Sequence, residues 1–529
     1  MARALRAAAA VAGLAVIGAY LCIALARLGY PGHLEVLEDN SLVEVHRILA
    51  GQQVYVAPSA SYVPDGYPPL YFAVSAAAAS VLGQSYLPLR LVSLAASLAC
   101  LAILGRLVQR ETGSRSAGLA AAGLLAATYF ATDTWFDVGR VDSLFLALSV
   151  AGLYAARWAR RTGGAIAAGL LLGAAFCTKQ SALAEGVAVL AVLAVGSGRR
   201  LAGPATAAYA AVIGGSTLVL GLTSHGWYVY YVFREMSEHA LSASSAGQFW
   251  TTELPPTLGI AICAILLAAR RTSPVLLAGC GALALESFAA RAQTGSNLND
   301  LLPAYLAVAL LAGLAASGQS PPLPAGSGPF ARARITGLTR VRWVARVARW
   351  RRGAAGQWVP VAASALVLVQ IGVLASGFRL SEAFPPKADR VADQRLAAAV
   401  RALGGTVAIP ADPGVAVLAG LPPTEDQIAA ADVLHASDQG AKAIFTDSLA
   451  QAVSAQEFSG IITEFGQDLR GFPADLPRYY HQCPQAPLDG ALSVPFSANA
   501  EALPVSVWLP IGHGPSCEAL ARTLESKET

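Results

Sequence analysis

LVSLAASLACLAILGRLVQRETGSRSAGLAAAGLLAATYF, residues 91–130, decides the architecture. Two apolar runs rich in Ala, Leu and Gly flank a short polar turn that holds Arg106, Arg110 and Arg115. Each run, extended into its flanks, approaches the roughly 20 residues that cross a bilayer, and a basic turn between two such runs marks a cytoplasmic hairpin. The pattern recurs. Arg157, Arg160 and Arg161 form a second basic turn, Arg199–Arg200 a third, Arg270–Arg271 a fourth, and eight arginines between Arg332 and Arg352 a long fifth site. Two apolar segments separate each consecutive pair of basic sites, so every site falls on the same side.

The apolar segments are 7–27, 87–105, 116–132, 142–156, 164–178, 182–197, 203–222, 255–269, 274–290, 301–316 and 358–377. Residues 69–82 are apolar but short, and counting them as a span would move Arg106, Arg110 and Arg115 to the wrong side. They are therefore expected to form a juxtamembrane or re-entrant helix. The expected fold is a polytopic α-helical membrane protein of about eleven transmembrane helices, amino terminus inside, followed by a soluble α/β domain outside. The expected divisions are a membrane module over 1–379 and an outer domain over 380–529. Within the module, 28–86 forms the outer loop with its juxtamembrane helices and 317–357 the basic cytoplasmic loop.

Composition agrees. Of 529 residues, 55% are apolar and 13% charged, with mean hydropathy +0.51, against about 25% charged in a soluble domain. That balance excludes a disordered chain, a nucleic-acid binder and an ordinary cytosolic enzyme. From Leu380 onward there are 18 acids against 9 bases, as in a translocated segment. Helix-like Ala388–Leu403, strand-like TVAIP, helix-like Thr424–Ser437 and the apolar FSGIITEF give this tail its α/β reading. Its cysteines, Cys483 and Cys517, are placed to pair in an oxidising compartment; Cys22, Cys100, Cys177, Cys263 and Cys280 lie in apolar segments.

In this topology the polar residues of the membrane half gather at one end. Ionisable groups at membrane depth are costly and mark a site. Glu38 and Asp39 suit a general base that deprotonates a hydroxyl. Arg90, Arg140, Lys179 and Arg291 suit a phosphate clamp. Asp142, Tyr67, Gln180, His225, Asn297 and Asn299 complete a substrate-binding set. A base and a phosphate clamp beside lipid suit transfer of a sugar from a lipid phosphate. No metal motif appears and no cofactor is called for, although a divalent metal is left open; Walker A and dinucleotide glycine patterns are absent.

The run LEDNSLVEVHRILAGQQVYV, with Tyr67-Pro68-Pro69-Leu70-Tyr71-Phe72 after it, resembles the first outer loop of GT-C glycosyltransferases. It is most similar to the protein O-mannosyltransferase and lipid A aminoarabinose transferase branch. There an acidic pair opens the loop, a Glu and an Arg follow at helical spacing, and Pro-Pro-Leu closes it; Glu38-Asp39, Glu44, Arg47 and Pro68-Pro69-Leu70 match. PLRLVS (88–93), GRVDSL (139–144), TKQSAL (178–183) and GSNLNDLLP (295–303) resemble further patterns. The resemblance implies an inverting transferase in a bacterial inner membrane, with its site and tail on the outer side. It implies a polyprenyl-phosphate sugar donor, a glycan, lipid or protein hydroxyl acceptor, and a base at Glu38 or Asp39. Two departures stand out: Glu38 replaces the usual first Asp, and Ser41 and Tyr67 replace basic residues. The competing readings are a transporter or flippase for lipid-linked glycans, and a non-catalytic assembly protein.

Overall fold

The computed structural model describes residues 1–268, 272–317, 358–464, 471–483, 505–512 and 514–520. The Arg332–Arg352 cluster and Arg270–Arg271 lie outside the described residues.

Each of the eleven apolar segments contains one long helix. These are α1 (Ala2–Arg27), α4 (Tyr86–Thr112), α5 (Arg115–Ala127), α6 (Asp142–Trp158), α7 (Thr162–Phe176), α8 (Ala182–Ser197), α9 (Arg199–Thr223), α12 (Leu254–Ala268), α13 (Pro274–Arg291), α14 (Leu302–Ala316) and α15 (Val359–Ser376). Among the described residues, seven helical stretches are long and apolar enough to cross a membrane, and α3 (Leu70–Leu82), α5, α7 and α8 are shorter apolar helices. The stretch that opened the reading closes its hairpin through Gly113, whose φ of 69° is the left-handed conformation that a glycine C-cap supplies without strain. Small residues set the spacing between helices. A Cβ on Gly123 of α5 would overlap the backbone of Gly13 in α1, and one on Gly118 would overlap Gly105 across the α4–α5 hairpin. Close backbone approach of this kind holds helices together where burial against lipid gives no drive. Helix α14 is the hub, with 83% of its apolar window buried.

The two ends of the bundle differ. At one, Arg6 donates to the Ala316 carbonyl (3.3 Å), Arg157 pairs with Glu111 (2.7 Å) and Arg110 donates to the Tyr154 hydroxyl (2.8 Å). At the other lie Arg27–Asp137, Arg90–Glu38 and Lys179–Asp142. Helix α3 is a short apolar helix of 13 residues. The Leu70 N–H bonds to the Cys177 carbonyl (2.9 Å), and Gln84, just beyond the helix, bonds to His46 (2.8 Å), so both its termini stay at the same end of the bundle. Beside it, α2 (Glu38–Leu49) carries the acidic pair in its first turn. Two short helices, α10 (Trp227–Val229) and α11 (Ala243–Gln248), complete the long connection between α9 and α12.

The C-terminal region holds α16 (Lys387–Leu403), β1 (Val407–Ala408), α17 (Gly414–Ala419), α18 (Gln427–His435), α19 (Gln439–Ser454), β2 (Gly460–Glu464), β3 (Tyr480–Gln482) and β4 (Val505–Pro510). Sheet order is β1-β2-β4-β3, with β1 parallel to β2 (Val407 opposite Gly460) and β4 antiparallel to both neighbours. Asp426 and Asp438 cap α18 and α19 by accepting from first-turn N–H groups at 2.9–3.1 Å. Cys483 and Cys517 form a disulfide. This region docks on the acidic end of the bundle. Tyr30 donates to Asp393 (2.6 Å), His33 pairs with Asp412 (3.1 Å), Ser437 donates to Glu238 (2.7 Å) and Arg234 pairs with Asp438 (2.8 Å).

Candidate active site

Two charge networks lie side by side at the docked end, and only one opens to space. The closed one centres on Glu38. Arg90 of α4 donates to both its oxygens, from Nε to Oε1 (2.8 Å) and from Nη2 to Oε2 (2.6 Å). The backbone N–H groups of Leu34 (2.7 Å) and Gly139 (2.6 Å) donate as well. Burial alone would raise the Glu38 pKa, but Arg90 and these N–H groups outweigh it and hold the carboxyl below its ordinary value. Arg90 also donates to the Tyr30 and Gly32 carbonyls at 2.6 Å. The pair thus staples the loop after α1 to α4 and to the 133–141 loop. Asp39, one residue on, turns the other way. It is fully buried beneath Gly414 of α17, and burial with Asp412 and Asp426 nearby pushes its pKa well above normal.

The open network begins at Lys179, in the tight turn between α7 and α8. Its Nζ pairs with Asp142 at the start of α6 (2.9 Å) and with Asp300 (3.1 Å), and the Asn299 amide donates to the same Asp142 oxygen (3.2 Å). Burial would discharge Lys179, but these two carboxylates keep it charged. Arg140, almost fully buried, donates to the Tyr67 hydroxyl (3.2 Å) and lies 3.9 Å from Glu35, with its guanidinium over the Tyr67 and Trp135 rings. Glu35 accepts from the Leu37 N–H (3.0 Å), while among the described residues its Oε1 has no hydrogen-bond partner. Burial raises the Glu35 pKa to about 7, with Arg140 holding it from going higher.

A cavity of about 520 Å³ meets this network between α8, α13 and the segment after α10, a volume in the range of ligand sites. Tyr67, Lys179, Gln180, Ser181, Glu286 and Asp300 give it polar walls. Leu183, Ala184, Val232, Phe233, Leu285 and Ala289 give it apolar ones, and Leu183 and Leu285 are exposed on the bundle surface. The cavity thus runs from exposed apolar side chains of α8 and α13 to the charged group around Lys179. His239, also on the wall, lies 3.4 Å from Asp432 of α18, so the C-terminal region reaches the cavity rim.

The residues expected from sequence divide accordingly. Lys179, Tyr67 and Gln180 line the cavity, the last donating to the Gly66 carbonyl (2.9 Å); Asp142 and Asn299 stand behind Lys179, and Arg140 behind Tyr67. Glu38, Asp39 and Arg90 are not on its walls, because they are committed to joining the outer loop, α4 and the C-terminal region. Arg291 is held by Glu253 (2.7 Å) and by Ser296, which does line the cavity. His225 and Asn297 are exposed and outside the lining. Glu44 and Arg47 shape the loop: Glu44 accepts from the Asp65 N–H (2.9 Å), and Arg47 lies over the Tyr62 ring while binding the Gln53 carbonyl. Sequence reasoning counted Glu35 and Asp300 among the outer polar residues without giving either a role, and it passed over Glu286. For Glu286 the signal was present, an ionisable residue inside an apolar segment. Among the described residues, His481, Cys483 and Cys517 form a group within metal-ligand reach, but the two sulfurs are bonded to each other and leave one nitrogen.

The family model described as dolichyl-phosphate-mannose-protein mannosyltransferase matches residues 66–242. Among solved structures, the fold is similar to ArnT from Cupriavidus metallidurans bound to undecaprenyl phosphate, at 15% identity and TM-score 0.58, covering 95% of this chain and 99% of that one. The apo state of the same protein matches at 14% identity and TM-score 0.58, with the same coverage. No curated protein matches the chain. The fold is similar to that of ArnT, and the resemblance read from the outer-loop motifs to the mannosyltransferase and ArnT branch of the GT-C glycosyltransferases is borne out.

Proposed function

We propose that this multi-pass membrane protein is an inverting glycosyltransferase. It moves a sugar from a polyprenyl phosphate to a hydroxyl of a glycan, lipid or protein acceptor, at the outer face of a bacterial inner membrane. The observation that carries the reading is the cavity between α8 and α13, apolar toward the bundle surface and ending on Lys179. This reading puts an isoprenoid chain in the apolar part of the cavity and its phosphate at Lys179, with the His239 imidazole also on the wall. The ArnT neighbour, which holds undecaprenyl phosphate, agrees with this reading.

Chemistry follows from the groups present. The acceptor oxygen attacks the anomeric carbon while the carbon–oxygen bond to phosphate breaks, and the released polyprenyl phosphate takes the electron pair. Lys179 stabilises that developing charge. As phosphate arrives, the bonds from Asp142 and Asp300 to Lys179 are partly exchanged for bonds to the ligand. The acceptor proton needs a base with a free lone pair near the ordinary pH range. Glu35 has both, an unpartnered oxygen and a pKa of about 7, one residue behind the Tyr67 wall. Glu38 lacks the lone pair, since four donors already occupy it, and Asp39, whose oxygens are also unpartnered among the described residues, faces Gly414, Asp412 and Asp426 of the C-terminal region. Arg140 orients Glu35 and Tyr67 together. No residue assignment calls for a metal.

The test is transfer in liposomes. Purified protein is supplied with a synthetic polyprenyl-phosphate sugar, and release of polyprenyl phosphate is followed with and without a hydroxyl acceptor. Release that depends on the protein and falls in Lys179→Met supports the reading. Movement of intact donor across the bilayer without bond cleavage would overturn it in favour of a transporter.

A further inference from the structure

One polar group on the cavity wall has no part in the transfer step as derived. Glu286 lies on α13, more than one turn before Arg291, among Leu285, Ala289 and Ala290. Its Oε1 accepts from the Ser181 hydroxyl at 2.6 Å. Its Oε2, among the described residues, has no hydrogen-bond partner, although the side chain is only 6% exposed. A buried polar atom without a partner is uncommon and asks for one. The terminal torsion of a Glu side chain is soft, so a small rotation presents this oxygen to a ligand.

The groups that face it define its charge state. Glu185 of α8 lies behind it, fully buried and beside Ser149. Asp142, Asp300 and Lys179 face it from the polar end. Tyr305 of α14 is engaged with Thr257 (3.3 Å), and α11 brings no titratable side chain. The sole cation of this set, Lys179, already holds Asp142 and Asp300. Three to four carboxyls around one ammonium in an apolar wall cannot all be ionised without large cost. Glu185 and Glu286 have no ion-pair contact of their own among the described residues, so a neutral carboxyl costs least at these two, and of them Glu286 lines the cavity. A neutral carboxyl has an O–H to donate, and an ionised phosphate has only acceptors.

We propose that Glu286 is a donor-binding residue that acts as a carboxylic acid, its Oε2 hydroxyl donating a hydrogen bond to an oxygen of the lipid phosphate seated at Lys179. The proposal rests on the transferase reading above. A proton thereby does the work of a second cation, and a hydrogen bond from a neutral acid to an anion is among the stronger ones. No bond is made or broken and the proton stays on Glu286.

Binding of farnesyl methyl phosphate, a diester whose charge stays constant over the accessible pH range, separates the outcomes. The full-length protein in detergent should bind it about tenfold or more weakly once Glu286 ionises at alkaline pH. Glu286→Gln, whose amide keeps a donor, should bind at the acid-pH strength with that decline removed. Glu286→Leu should bind weakly at all pH values, matching wild type at alkaline pH. Equal binding by Glu286→Leu and wild type at acid pH, or parallel pH curves for wild type and Glu286→Gln, would overturn the role of Glu286 alone. Wild type that bound no diester at any pH would instead remove the transferase reading on which it rests.

Discussion

Glu38–Arg90 and Lys179–Asp142–Asp300 are both buried ion pairs at the same end of one bundle, yet their surroundings differ. Around Glu38 every lone pair is used, by two guanidinium N–H groups and two backbone donors. Around Lys179 the charge is shared by two carboxylates beside an open cavity, with Glu35 and Glu286 each keeping an unpartnered oxygen nearby. A closed network fixes geometry, because breaking any bond in it strands a buried charge. An open one has capacity left for a ligand. Ionisable residues beside a membrane mark a site only when some of that capacity is unused.

The contrast breaks most sharply at Glu35. Glu35→Gln should lower kcat by about 10²–10⁴-fold while the protein stays folded. The wild-type rate should rise with pH through about 7, since the base acts when ionised and burial has raised its pKa to that value; stopped assays across pH measure both. Lys179→Met should cost about 10²–10³-fold in kcat, with Lys179→Arg recovering part of it. Arg90→Leu should act on the other network and the other property. It strands the Glu38 charge and should destabilise the protein by about 3–5 kcal/mol, read by thermal unfolding in detergent, with kcat per folded molecule reduced far less than in Lys179→Met. If Arg90→Leu left stability unchanged and abolished turnover, the division between the two networks would be wrong.

Smaller effects belong to the C-terminal region. Replacing Cys483 and Cys517 by Ser removes a closed loop with a sequence separation of 34 and should cost this region about 3–4 kcal/mol, seen as earlier proteolysis there, with transfer retained. The smallest effect should come from His33. Burial lowers its pKa, but Asp412 outweighs that and raises it to about 9, above the unfolded value of about 6.5. Its contribution to docking is therefore complete below about 6.5 and is lost as pH rises through about 9. Hydrogen exchange at the Asp412 segment should quicken over that interval, and His33→Gln should flatten the response.

Much of the scaffold was legible in one dimension. Each apolar segment read from the sequence holds a long helix, and arginine spacing ordered those segments as hairpins, because a hairpin of two crossings must return to its own side. The α16 helix and the β1 strand of the tail followed from periodicity, while the pairing of Cys483 with Cys517 was open in the sequence and is made by the fold. Within the site, Lys179, Tyr67 and Gln180 were reachable as polar residues in short turns. Arg90 and Glu38 drew equal attention, since sequence shows a charge and not what surrounds it.

What the chain determined by itself is therefore what depends on composition and near-neighbour spacing. Apolar segments must leave water, basic turns must share a side, and glycines must sit where helices touch. What only the tertiary structure decided is which charges satisfy one another. Glu38 meets Arg90 across 52 positions, Lys179 meets Asp300 across 121, and His33 meets Asp412 across 379. A carboxylate's use as staple or as base is set by the count of donors around it, and those donors come from helices that only folding brings together.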